Sequence, residues 1–354
     1  MGHPMIKGNL AVTGLISMDN PSPGLAIVKC LKDSGQFKGK FIGLAFDVLS
    51  TGIFAQGLLD EVYLIPPPAD GENPLIERLK EIVRQTRIDV IIPTLDSEMV
   101  IYARAREKLR AMGIRLLIPE ERQIKVRAKI ALPEFAQKHG FHIPKTVTLN
   151  SKGQLPSVID DLGLPLVLKG PFLDCHIANT PEETEVFFDR LVNSWGFPLL
   201  AQKHIVGEEY NIAALTDKEK DLIGAVMMKK IGITGKGKAW AGVTVHDQDF
   251  LNLGKKILTK LEWVGPIELE FIKGAFSRKY YLLEVNSRFP SWIYLSARAG
   301  QNLPLATFQL AMGQRVKPMA PYQTGVIFYR SSREYIVSFD LLKKITIHGE
   351  IVYR

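Results

Sequence analysis

The chain predicts an α/β and α+β protein, with a doubly wound parallel α/β domain first, then a small α+β lobe and a larger mixed sheet. Three observations carry this reading. Up to about residue 120, continuous apolar runs alternate with amphipathic helical segments, the pattern of parallel strands covered on both faces. Near residue 120 the texture changes to shorter, proline-opened strands. After Glu209 long alternating segments follow one another as antiparallel strands do. The 354 residues, 46% hydrophobic and 23% charged, leave room for two or three domains with their own cores. The expected divisions are residues 1–120, 121–200 and 201–354.

In order, NLAVTG (9–14) is a short apolar run closed by glycine, and PGLAIVKCLKDSG (23–35) has helical periodicity. KFIGLAFD (40–47), EVYLIPPP (61–68), DVIIPTL (89–95) and IRLLIP (114–119) read as strands. Between them, PLIERLKEIVRQTRI (74–88) and a segment through REKLRAMG (106–113) read as helices. The second part opens with the helical stretch RAKIALPEFAQKHG (127–140), and Pro165 and Pro198 introduce the strands LVLK (166–169) and LLAQKHI (199–205). YNIAALTD, LIGAVMMKKIGIT and KAWAGVTVHD follow as strands, then the helix DFLNLGKKILTKL (249–261). The C-terminal VIFYRSSREYIVSF and ITIHGEIVYR read as strands closing the last domain.

Composition excludes several classes. No apolar run approaches the roughly 20 residues needed to cross a bilayer. The N-terminus lacks a basic-then-apolar leader, so a cytoplasmic protein is expected. Cys30 and Cys175, far apart, read as two free thiols in a reducing compartment, with a single disulfide as the alternative. The net charge of +8 invites a nucleic-acid reading. Against it, the basic residues are scattered among acids, as in DKEKD (217–221), and a polyanion such as ATP explains local positive charge equally well.

The chemistry concentrates in VGPIELEFIKGAFSRKYYLLEVNSRFP (264–290), two strands flanking a hairpin loop. Strand residues alternate faces, so Glu268 and Glu270 share one face while Ile267, Leu269 and Phe271 share the other. On the return strand Glu284, Asn286 and Arg288 share a face opposite Leu283 and Val285. A loop centred near Ala275 sets Glu284 opposite Glu268, one step from Glu270. Such clustered carboxylates are unfavourable unless a cation relieves them, and magnesium takes carboxylates together with substrate phosphate oxygens. The alternative is an ordinary solvated sheet face. Lys169 ends an apolar strand, where an ammonium needs a countercharge; Lys129 lies on a helix. Either could equally extend to solvent. In QKHIVGEEYN (202–211) an amide, a glycine turn and two acids suit an adenine edge and a ribose. Asp96 and Glu98 follow the strand DVIIPTL, where open α/β sheets present ligands, or else cap the next helix.

Taken in order, these segments resemble the ATP-grasp superfamily, especially the branch of carbamoyl-phosphate synthetase, biotin carboxylase and amino-acid ligases. LLEVNSRFPSWIYLSARAGQNLPLATFQLAMG (282–313) is similar to the family's E-x-N-x-R segment and the helix after it. VRAKIALPEFAQKHGFHIPKT resembles the opening of the ATP-grasp domain, LGLPLVLKGP its first nucleotide-lysine strand, and LLAQKHIVGEEYN the hinge between two lobes. The resemblance implies that Lys129 and Lys169 contact ATP phosphates, that Gln202, Lys203 and Ile205 flank adenine, and that Glu209 holds the ribose. It implies Glu270, Glu284 and Asn286 as ligands of Mg2+, with Mn2+ as the alternative ion, and Arg288 with Asn286 as catalytic groups. Ser291, Trp292 and Tyr294 would line the acceptor pocket. The activity implied is carbon–nitrogen ligation through an acyl phosphate, releasing ADP. Its substrates would be small molecules or peptides, an amino acid or peptide end fitting best, and the assembly a homodimer. Two rivals use the same frame: an ATP-binding regulatory protein with a degenerate site, and a carboxylase- or kinase-like phosphoryl-transfer enzyme.

One departure stands out. The family covers the phosphates with a glycine-rich loop, whereas GPFLDCHIANTPEE (170–183) has one glycine and the bulky Phe172, Leu173 and His176. GITGKGKAWAG (232–242), with Lys236 and Lys238, is a second segment able to approach a nucleotide. TGLISMDNPSPG (13–24) lacks the G-x-G-x-x-G spacing of a dinucleotide fold.

Overall fold

The computed structural model describes residues 5–16, 21–171, 174–235 and 237–353. Phe172, Leu173, Lys236 and part of the 13–24 segment, singled out above, lie outside the described residues.

The chain builds three main sheets. In the first, β1 (Leu10–Val12), β2 (Phe41–Ala45), β3 (Glu61–Leu64) and β4 (Val90–Ile92) are parallel, in the order β3-β2-β1-β4. Both strand faces are apolar because helices cover both. Leu10 and Val12 pack toward α1 (Gly24–Lys32), while Ala11, Ile42 and Leu44 pack toward α2 (Glu72–Gln85) and α3 (Met99–Ala111). The second sheet is antiparallel: β5 (Thr146–Leu149), β6 (Leu166–Lys169), β7 (Cys175–Ala178) and β8 (Leu199–Lys203), ordered β5-β8-β6-β7. It is backed by α6 (Leu155–Leu162) and α7 (Pro181–Trp195) through Leu149, Leu162, Leu166, Phe188 and Leu199. Thr180 caps α7 by accepting the Glu183 N–H.

The third sheet has six strands: β9 (Gly207–Thr216), β10 (Leu222–Ile233), β11 (Ala239–Val245), β12 (Gly265–Gly274), β13 (Tyr280–Asn286) and β14 (Ile327–Tyr329). Their order is β13-β12-β9-β10-β11-β14. One face buries Ile212, Met227, Leu269 and Phe271 against α8 (Gln248–Leu261) and α5 (Leu132–His139). Asp247 starts α8 by accepting the Phe250 N–H. The other face carries the acids.

Four expectations change. IRLLIP is not a strand; it makes one bridge, Arg115 to Val90, and then leaves the sheet to run against Gly265. A Cβ on Gly265 would lie 2.6 Å from the Leu117 carbonyl oxygen, so only glycine admits that crossing. The helical stretch 127–140 is broken: α4 (Glu121–Val126) stops, and α5 restarts at Leu132 with Pro133 in its first turn. Lys129 therefore sits in the turn between helices, not on a helix. ITIHGEIVYR divides. Its first half ends α9 (Phe339–His348), capped by Ser338 and closed by left-handed Gly349. Its second half, β15 (Glu350–Val352), pairs antiparallel with β3 in the first sheet, not in the last one. VIFYRSSREYIVSF contributes only the three residues of β14 as strand.

Candidate active site

The acidic hairpin forms, but its register differs from expectation. Glu270 stands directly opposite Glu284 and Glu268 opposite Asn286. The turn is centred two residues later than the sequence suggests, because β12 runs on to Gly274. A bulge beside Glu270 pairs Phe271 with Leu282, so Leu282 rather than Leu283 joins Val285 in the core. The two carboxylates expected to ligate one cation are thus a cross-strand pair, an arrangement of like charges that destabilises unless countered.

The structure supplies counterions. Lys230 on β10, with its side chain 4% exposed, donates to Glu209 at 2.6 Å, to Glu270 at 3.1 Å and to the Gly237 carbonyl at 3.1 Å. Burial works against the Lys230 ammonium, but Glu270 and Glu209 hold it protonated well above the ordinary lysine range. Burial likewise opposes the Glu270 charge, yet Lys230 and Lys238 outweigh it and hold that carboxyl down at about 2. Glu284, on the open side, lies 4.0 Å from the Lys129 ammonium.

Glu268 has a different place. It is 3% exposed and receives Asn211 Nδ2 at 2.7 Å, Trp292 Nε1 at 2.8 Å, Asn286 Nδ2 at 3.1 Å and Arg288 Nη1 at 3.1 Å. Burial and the neighbouring Glu270 charge push its carboxyl up. With four donors already on it, Glu268 organises its neighbours. Arg288 also donates through Nε to Asp96 at 3.1 Å, and Asp96 pairs with Arg127 at 3.1 Å. Burial opposes ionisation of Asp96, but Arg288 and Arg127 keep its carboxyl below the usual range.

At the other end of the hairpin, a recess between the second and third sheets is lined by Lys129, Lys169, Gln202, Leu200 and Leu283. Lys169 ends β6 opposite Cys175, and burial pulls its ammonium down from the usual lysine range. Gln202 is buried on β8 and donates to Thr146 Oγ1 at 2.9 Å. Lys203 closes β8, and Ile205 lies in the short link to β9, which begins two residues before Glu209. Cys30 is a buried and Cys175 an exposed free thiol.

Three expected acceptor-side residues are turned elsewhere. Glu98 is 3% exposed and accepts the Thr13 hydroxyl and the N–H groups of Thr94 (2.7 Å) and Leu95 (2.9 Å). It ties the ends of β1 and β4 together instead of facing a substrate, and burial pushes its carboxyl up to about 7. The Trp292 indole is buried and spent on Glu268. Tyr294 donates its hydroxyl to Asp33 at the C-terminal end of α1. Asp96 pairs with Arg288, and Ser291 accepts a hydrogen bond from Arg330 at 3.1 Å. Lys230, Asn211, Arg127 and Arg330 escape a sequence reading. The one signal for Lys230 was an unaccounted cation in the apolar strand run VMMKKIGI.

Among the described residues no group of three or more His, Cys, Asp or Glu could hold a metal alone. Glu270, Glu284 and the Asn286 amide oxygen offer a partial set, which fits Mg2+ that keeps phosphate oxygens or water as its remaining ligands.

A parallel first domain followed by two antiparallel lobes with a recess between them makes up an ATP-grasp fold. The chain has the ATP-grasp fold and is similar to ATP-grasp proteins in its C-terminal part. More particularly, residues 197–332 match the family model described as ATP-grasp in the biosynthetic pathway with Ter operon. The multifunctional protein pyr-3 of Neurospora crassa is 21% identical over 332 residues, 89% of this chain but 18% of its own length. The chain therefore spans about a fifth of that curated relative. Among solved structures, the ADP complex of purK, N5-carboxyaminoimidazole ribonucleotide synthetase, has a TM-score of 0.69 at 13% identity, covering 92% of this chain and 82% of that one. L-amino acid ligase from Bacillus licheniformis has a TM-score of 0.62 at 16% identity, covering 87% and 75%. No helix among the described residues is long and apolar enough to cross a membrane.

Proposed function

We propose that this chain is an ATP-dependent carboxylate–amine ligase working through an acyl phosphate, with an amino acid or peptide end as substrate. The observation that carries the reading is the cross-strand pair Glu270–Glu284, set between a recess holding Lys129, Lys169 and Gln202 and a largely enclosed, doubly paired Arg288. That the solved structures of similar fold include an amino acid ligase supports the substrate class.

In this reading Gln202, Lys203 and Ile205 flank adenine, Glu209 holds the ribose, and Lys129 and Lys169 receive phosphate oxygens. Burial draws the Lys169 ammonium down, and phosphate anions beside it would oppose that shift. Glu270, Glu284 and Asn286 would hold Mg2+, or Mn2+ in its place, which would supply positive charge against the phosphates. Arg288, oriented by Asp96 and Glu268, faces the transferring group without reorganising, which is where electrostatic catalysis gains most. The substrate carboxylate attacks the γ-phosphorus and ADP leaves; an amine then attacks the acyl carbon, phosphate leaves and the amine gives up a proton, with positioning supplying much of the rate. We take residues 1–120 as the preceding α/β domain, 121–200 as the lid and 201–354 as the metal-binding lobe, in a cytoplasmic homodimer.

Phosphate release is measured with Mg-ATP against pooled amino acids and short peptides, and mass spectrometry seeks a product lighter by one water than two substrates combined. Glu284→Gln should abolish both signals. A second reading, nucleotide binding without turnover, is favoured by the single glycine in 170–183. It predicts Mg-ATP binding with no phosphate released for any substrate pair. No nucleotide binding at all would defeat both.

A further inference from the structure

The first domain holds a second recess, which shares no lining residue with the nucleotide recess. It opens at the carboxyl ends of β2, β3 and β4, where open parallel sheets take their ligands. Phe46 follows β2, and Ile65 with three consecutive prolines, residues 66–68, follows β3. Leu75 and Ile101 come from the first turns of α2 and α3. These walls are apolar, and the prolines have no N–H to offer. Among the described residues, the polar side chains of the lining are Glu98 and Tyr102.

Both are buried, and neither is fully used. Glu98 accepts from Thr13, Thr94 and Leu95 on one oxygen, Oε1, and its Oε2 has no partner among the described residues. The Tyr102 hydroxyl is buried with no hydrogen-bond partner. Glu61, Asp89, Glu98 and Glu268 are the buried acids among the described residues, and three of them meet a cation: Lys40, Arg87 and Arg288 in turn. Glu98 meets none among the described residues, and burial pushes its carboxyl up although three donors oppose the shift. A buried carboxylate without a countercharge is costly, and a cation arriving beside it removes that cost. An unpaired buried hydroxyl is costly in the same way. One free carboxylate oxygen and one phenol among apolar walls are too few oxygens for a divalent metal ion, so the cation that fits carries an apolar body.

We propose that this recess is a binding site for a small primary amine, its ammonium held by Glu98 Oε2 and Tyr102 Oη and its apolar body lying against Phe46, Ile65, Leu75 and Ile101. The site is separate from the nucleotide recess and does not rest on the ligase reading. An ammonium carries three donors, enough for both oxygens at once. A neutral alcohol of the same shape leaves the Glu98 charge uncompensated, and a carboxylate ligand meets a like charge.

The test titrates benzylamine, benzyl alcohol and benzoate calorimetrically into the full chain at pH 8 and fixed ionic strength, with Tyr102→Phe and Glu98→Gln as variants. Amine drawn to Glu270 and Glu284 is common to all three proteins, so the differences isolate the recess. Wild type should bind benzylamine at least tenfold more tightly than benzyl alcohol, and benzoate should give no response in the recess. Glu98→Gln should bring the amine down to the level of the alcohol. Tyr102→Phe should weaken amine binding at least threefold while melting no lower than wild type, because it removes an unpaired hydroxyl. No amine response in wild type would leave the recess to water and overturn the site. Equal binding of amine and alcohol would do the same, as would amine binding unchanged in Tyr102→Phe. A Tyr102→Phe protein melting 5 °C or more lower would make the hydroxyl structural and equally overturn the assignment. Where Glu98→Gln does not fold, Tyr102→Phe decides alone, since it leaves the Glu98 bonds to Thr13, Thr94 and Leu95 in place.

Discussion

Replacing Lys230 by methionine tests the electrostatic design of the site most directly. Methionine keeps the length and the apolar stem while deleting the charge shared by Glu209 and Glu270. Glu270 has a side chain 15% exposed, so solvent can do little to replace the missing partner. Bringing its carboxyl from 4.5 down to about 2 corresponds to about 3 kcal/mol at about 1.4 kcal/mol per pH unit. Measured losses for breaking buried ion pairs are of the same size, about 3–5 kcal/mol. The sign follows from linkage. Glu270 is depressed in the folded state, so its contribution is fully present above about pH 4.5 and is lost as pH falls toward 2. Urea unfolding at pH 7 should therefore show the variant less stable by about 3 kcal/mol. The gap should narrow steadily below pH 4.5. Mg2+ should stabilise the variant more than wild type, because it meets a pair of carboxylates with one counterion fewer. Equal stability at pH 7, or a deficit unchanged between pH 7 and pH 3, would refute the assignment of Lys230 as the counterion.

Other outcomes follow from the same geometry. Glu98→Gln should flatten a pH dependence: an acid raised to about 7 stabilises the fold when protonated, and that help fades as pH rises from about 4.5 through 7. Thermal melts of wild type and variant should diverge across that window and run parallel above it; parallel melts throughout would remove Glu98 as the titrating group. Trp292→Phe strips one donor from buried Glu268 and should lower stability by about 1–3 kcal/mol in chemical denaturation, without changing the nucleotide dissociation constant by more than a few-fold. Glu284→Gln should leave the melting temperature nearly unchanged, since Glu284 is 35% exposed and 4.0 Å from its nearest charged partner. Mg2+-dependent tightening of ATP binding should be lost in that variant, as read by titration calorimetry.

The sequence by itself determined the order of the sheets, because local pattern suffices for it. Continuous apolar runs between amphipathic helices specify a covered parallel sheet, and the alternation of Glu268 and Glu270 with Ile267, Leu269 and Phe271 specifies a two-faced strand. It also brought Lys129, Lys169, Gln202, Glu270, Glu284 and Arg288 to notice as a set. Tertiary structure decided the rest. The register of Glu270 against Glu284 depends on where β12 ends and on a bulge, neither of which alternation encodes. The fate of the C-terminal segment was decided by Ser338 and Gly349 as caps and by a free edge on β3, far away in sequence. Lys230, Asn211 and Arg330 read as unremarkable strand residues until sheet pairing sets the first two beside the hairpin acids and the third beside Ser291. Conversely, Glu98, Trp292 and Tyr294 lie at promising sequence positions, but the fold turns them to Thr13, Glu268 and Asp33. Periodicity fixes which face a side chain takes; only long-range packing fixes what it meets there, because a charge is satisfied by neighbours in space and not by neighbours in the chain.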